Sequence, residues 1–128
     1  MIYPVTPAHL ASFATKVAHY QRILGLTDWR IEVHQAEGDG DDVYAWIKFG
    51  VEEESMLARI FISREWRTMP DKHALDDTAL HEVLHVLLRP LLADGVAREE
   101  HAVIHRLVDV MLWQKQPLNT LETPVVDD

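Results

Sequence analysis

His81-Glu82-Val83-Leu84-His85 sets two imidazoles four positions apart with a carboxylate directly after the first. This is the H-E-x-x-H pattern, which on a helix brings two nitrogens to one metal ion. Residues four apart on a helix lie within about 40° of each other and one turn apart, so both rings leave the same face. Zinc accepts neutral imidazole, and a catalytic zinc has three protein ligands and one open position. Glu82 projects about 100° from His81, where its carboxylate reaches a water beside the ion without being a ligand. A carboxylate so placed takes the proton of a zinc-activated water as general base and later passes it to a leaving amine. The reaction class is amide hydrolysis, with His81 and His85 as expected zinc ligands and Glu82 as expected catalytic base. The plainer alternative is that the three side chains only occupy the polar margin of a packed helix.

A third ligand has to come from elsewhere, and Glu99, Glu100, His101 and His105 follow the motif closely. On a helical wheel Glu100 lies in line with Val103, Ile104, Leu107 and Met111, so it points inwards and is the expected third ligand. Glu99 and His101 are the alternatives. Without a metal, Glu99 and Glu100 read as first-turn acids that favour the helix dipole. His105, one turn beyond His101, could hydrogen-bond a ligand carboxylate from behind. His9, His19, His34 and His73 are scattered, with no partner at ligand spacing, and read as surface or core residues.

The elements that must position these residues are readable in outline. Thr6-Pro7 starts a helix with apolar positions Leu10, Phe13, Val17, Tyr20 and Leu24, closed by Gly25. Trp29 to His34 alternates at a period of two, as does Val43 to Phe49, and these two strands are expected to pair across a Gly/Asp-rich turn. Leu57 to Ser63 forms a third strand. A polar connection from Arg64 to Leu75 leads to Asp76-Asp77-Thr78, which offers caps for the motif helix. That helix buries Leu80, Val83, Leu84, Leu87 and Leu88 and ends at Pro90. A last helix runs from about Val96 to Gln114. The fold class is α+β, a three-stranded sheet covered by helices, as one domain over residues 1–117 with a loosely held acidic tail at 118–128.

The chain has 128 residues, 48% hydrophobic and 26% charged, as a folded single domain has. A formal charge of −9 disfavours nucleic acid and anionic lipid as partners, and Arg59, Arg64, Arg67 and Lys72 form only a loose basic group. Cysteine is absent, which removes disulfides, thiol nucleophiles and thiolate-bound zinc, and leaves His, Asp and Glu as ligands. Its absence fits a reducing compartment. Met1-Ile2-Tyr3-Pro4 opens no signal sequence, and no apolar run is long enough to span a membrane, so a cytoplasmic location is expected.

HEVLH followed by Arg98-Glu99-Glu100-His101, with the segments LGLTDWRIEV, ARIFIS and LHEVLHVLL, resembles the short zincin metallopeptidases found in phage and prophage genomes. The resemblance spans most of the chain. It implies a minimal zincin-like fold with an N-terminal helix, a three-stranded sheet, the motif helix and a C-terminal helix. It also implies a glutamate on the following helix as third ligand, at the position of Glu100. A peptide or protein substrate would lie extended along an edge at Leu57–Ser63. The metzincin branch is excluded because Leu88 and Leu91 stand where Gly and His are required. No Tyr or His is evident as oxyanion stabiliser beyond Tyr44. Two further readings compete: a binding protein of this fold without catalysis, and a metal-dependent RNA-processing hydrolase. The charge opposes the latter, as does a post-motif segment, Arg89 to Ala93, that lacks its glycine and histidine.

Overall fold

The computed structural model describes residues 2–38, 44–50, 56–89 and 97–113. The expected tail, 118–128, and the side chain of Glu99 lie outside the described residues.

After β1 (Tyr3–Pro4), Thr6 caps helix α1 (Pro7–Ile23) reciprocally. The Thr6 hydroxyl accepts from the His9 amide at 3.1 Å, and His9 Nδ1 accepts from the Thr6 amide at 3.0 Å. His9 thus takes the place that Glu or Gln holds in the usual capping box. Phe13, Val17 and Tyr20 form the buried stripe of α1. The turn beyond it uses Gly25 at φ +71°, a conformation that costs a residue with a Cβ. Gln21 braces that turn by donating to the carbonyls of Leu26 and Trp29.

The sheet comprises β2 (Arg30–Ala36), β3 (Ala45–Phe49) and β4 (Leu57–Ser63) in the order β2-β4-β3. The first two strands, expected to pair with each other, are separated by β4, which runs parallel to β2 and antiparallel to β3. The physical reason lies in β4 itself. Ala58, Ile60, Ile62 and Ser63 are buried and Phe61 is half-buried, as befits a strand with neighbours on both sides. One face of β4 packs into the core, with Ala58, Ile60 and Ile62 fully buried beside Ile31, Val33, Ala45 and Ile47. The other face carries Arg59 and Phe61, with Trp46 and His34 stacked on either side of Phe61. Replacing Ile60 by Ala should therefore cost about 3 kcal/mol of stability, whereas Arg59→Ala stays within about 0.5 kcal/mol. Urea denaturation of the two proteins measures the contrast, and equal losses would contradict this assignment of faces.

A second, two-residue pairing joins β1 to β5 (Glu65–Trp66) and was not foreseen, being too short to show alternation. Helix α2 (Lys72–Leu88) begins earlier than the sequence suggested. Asp71, not Asp76, is its N-cap, accepting from the Ala74 amide at 2.9 Å. The extra turn buries Leu75 and lets Asp76 accept a 2.5 Å hydrogen bond from Tyr20, which ties α1 to α2. Helix α3 (Ala97–Trp113) lies against α2 and contributes Ile104 and Val108 to the core. Helices and sheet share that one core, an α+β arrangement of three helices and two small sheets among the described residues. No helix among the described residues is long and apolar enough to cross a membrane.

Candidate metal centre

Leu80, Val83, Leu84 and Val86 are fully buried on α2, so the helix is fixed in rotation about its axis. That rotation carries His81 and His85 to the seam with α3. The rings are in edge contact, with centroids 5.1 Å apart, as the four-residue spacing requires. From α3, His101 faces both, at 5.4 Å from His81 and 4.9 Å from His85. His105, one turn further on, lies 5.1 Å from His81 and 6.3 Å from His101. Because His85 meets His101 while His81 meets His105, the two helices run antiparallel along this seam.

Three of these residues, His81, His85 and His101, can each offer a ligand atom such that all three atoms lie within 4.8 Å of one another. The residues fit a zinc ion by a second measure. With metal to nitrogen distances near 2.0–2.1 Å and tetrahedral angles, the ring centroids should stand about 5.2 Å apart. The observed separations of 4.9, 5.1 and 5.4 Å bracket that value.

Protonation is also suited to a metal. Burial, reinforced by the neighbouring imidazoles His85, His105 and His101, pushes the His81 pKa down to about 4. Burial lowers that of His85 as well, with Glu100 opposing through its hydrogen bond and charge. Both rings are held neutral, the form that binds metal.

Glu100 stands differently from the position expected for a third ligand. Its Oε2 accepts a hydrogen bond of 2.7 Å from Nδ1 of His85. With the proton fixed on Nδ1, the lone pair of His85 is on Nε2, and the carboxylate raises the basicity of the ring. The third nitrogen near His81 and His85 comes instead from His101, one residue along.

Glu82 is only 5% exposed, and burial alone raises its pKa to about 8. A carboxyl poised near neutrality beside a metal-binding cluster suits general acid and base work. Tyr44, considered for the oxyanion, has its ring stacked on Trp66 at 4.7 Å. Strand β4, expected to receive an extended peptide, has no free edge, since β2 and β3 occupy both sides. Among the described residues, the edge strand that packs against α2 is β3.

Comparison of the chain with models of known families, with curated proteins and with solved structures yielded no match.

Proposed function

We propose that the protein is a zinc-dependent peptidase whose metal is held by His81, His85 and His101, with Glu82 as the proton carrier. The observation that carries this reading is the convergence of three imidazoles, two from the H-E-x-x-H helix and one from α3, beside a buried carboxyl raised to about 8. A bound zinc would supply Lewis acidity, polarising a water molecule and the scissile carbonyl. The three imidazoles orient that chemistry, and Glu100 fixes the tautomer and direction of His85. Glu82 takes a proton from the attacking water and delivers it to the departing amine, a transfer favoured when its pKa lies near the working pH. A nearby cation would lower that pKa, so the burial that raises it sets an upper limit rather than the operating value.

An extended peptide substrate would add to the sheet at β3, which is an edge, and so lie beside α2. The resemblance to short zincins supports the same reaction class.

The test is cleavage of an unfolded protein such as casein by zinc-loaded wild type and Glu82→Gln, with zinc measured in both. We expect one zinc per chain in each and a loss of activity of about a thousandfold in the variant. Equal cleavage by both proteins, or none by a zinc-loaded wild type, would overturn the assignment.

A further inference from the structure

Helix α2 is closed by Arg89, its C-cap, whose φ of −51° and ψ of −50° continue the helical turn. The residue therefore keeps its place on the wheel of the motif helix. With His81 as origin, His85 lies at about 40°, Arg89 at about 80° and Glu82 at about 100°. Arg89 thus leaves α2 in the sector bounded by the second motif histidine and the buried carboxyl. Its guanidinium carbon stands 4.3 Å from the centre of the Phe49 ring. Phe49 is the last residue of β3, and Trp29 braces its ring edge-on at 5.9 Å. Stacking on a ring face leaves the in-plane N–H groups of a guanidinium open to a ligand. Arg89 is exposed, and among the described residues it meets no carboxylate.

The hydrogen bonds of β3 show which of its peptide groups face outwards. The Ser63 amide donates to the Tyr44 carbonyl, and the Gly50 amide to that of Leu57. In the antiparallel register, Tyr44, Trp46, Lys48 and Gly50 therefore bond to β4, while Ala45, Ile47 and Phe49 turn N–H and C=O to the outer edge. A chain that adds there bonds to Ile47 and Phe49 and passes the guanidinium seated on Phe49.

We propose that Arg89 is a substrate-binding residue, selecting peptides that carry a carboxylate close to the scissile bond. This rests on the peptidase reading above and adds the charge of the substrate to it. A guanidinium matches a carboxylate through two parallel N–H···O bonds, which an ammonium cannot make. The stack on Phe49 fixes the plane of that fork beforehand, so little side-chain freedom is lost on binding. The formal charge of −9 repels an acidic peptide at a distance, and a cation placed at the site offsets that repulsion where the chain is cut. The carboxylate comes from an Asp or Glu side chain or from the C-terminus of the peptide, and the same fork accepts either.

Dephosphorylated casein is digested by zinc-loaded wild type, Arg89→Gln and Arg89→Glu, and the cleaved bonds are mapped by mass spectrometry. We expect wild-type cleavages at a constant distance from an Asp, a Glu or the C-terminus. A synthetic peptide spanning the best site, remade with that acid as its amide or with its C-terminus amidated, tells the two sources apart. On the acidic peptide Arg89→Gln should raise KM by about 10 to 100-fold and leave kcat nearly unchanged. Arg89→Glu should move cleavage towards sites flanked by Lys or Arg, with zinc content equal in all three proteins. Wild-type cleavage that ignores acidic groups, or unchanged sites and KM in both variants, would overturn the inference. Arg89 would then be only a cation at a helix C-terminus, and the peptidase reading would stand. No cleavage by the zinc-loaded wild type would overturn both.

Discussion

A His101→Ala protein should bind zinc about a thousandfold more weakly than wild type, a difference of about 4 kcal/mol, whereas Glu100→Gln should lose only about 10 to 100-fold. The asymmetry follows from what each side chain touches. His101 brings a nitrogen within 4.8 Å of those of His81 and His85, so its removal would delete a coordinate bond of the proposed site. Glu100 reaches the site through Nδ1 of His85, so its loss leaves the ligand set intact but frees the ring to rotate and lowers its basicity. Competition with a chelator of known affinity measures both. Should Glu100→Gln prove the more damaging, the carboxylate is the ligand and His101 the bystander.

The second large effect concerns the metal-free protein and its dependence on pH. Glu82 is buried without charge compensation, and its folded-state pKa rises from an ordinary 4.5 to about 8. Above pH 4.5 the unfolded chain releases this proton while the folded protein retains it, so stability falls as pH rises through 4.5 to 8. Glutamine carries no such proton. Glu82→Gln should therefore be more stable than wild type by roughly 2–4 kcal/mol at pH 7.5, with the gap closing towards pH 4.5. His81 acts in the opposite sense in both proteins. Its pKa is lowered to about 4, so stability falls as pH drops below the ordinary histidine value near 6.5. The wild type should thus lose stability on both sides of slightly acid pH, and Glu82→Gln mainly on the acid side. Denaturant midpoints from pH 4 to 8 give both curves, and a gap that does not change with pH would rule out burial of a protonated Glu82.

The sequence exposed local patterns and hid relations between elements. The helical setting of His81, Glu82 and His85 was legible because Leu80, Val83, Leu84 and Leu88 recur at helical spacing around them. The alternation in β2 and β3 revealed which side chains share a face, but alternation carries no information about which strands are neighbours. Placing β4 in the middle depends on burial on both sides, which appears only when the strands are assembled. Asp71 and Asp76 are chemically equal as caps, and the choice between them is made by Leu75 reaching the core and Asp76 reaching Tyr20, 56 residues away.

The proposed third ligand shows the same limit. A helical wheel correctly turned Ile104 inwards and Leu107 and Met111 to the core margin, but placed exposed Val103 with them, and it measures direction about α3 alone. The histidine seam lies where α2 and α3 meet, beside the core-facing stripe, and a step of one residue, about 100°, separates Glu100 from His101. The repetition of histidine at 101 and 105, matching 81 and 85, was the available signal. Its meaning depended on the antiparallel approach of the two helices.

That approach would give a bound ion a mechanical role besides the proposed chemical one. Among the described residues, α3 buries Ile104 and Val108 in the core, with Leu107, Met111 and Leu112 packed against it at its margin. An ion bound by His81 and His85 on one side and His101 on the other would be a clasp across the seam, coupling detachment of α3 to loss of metal. Zinc availability would then govern how long the C-terminal helix stays docked, and with it how much of the chain is open to degradation.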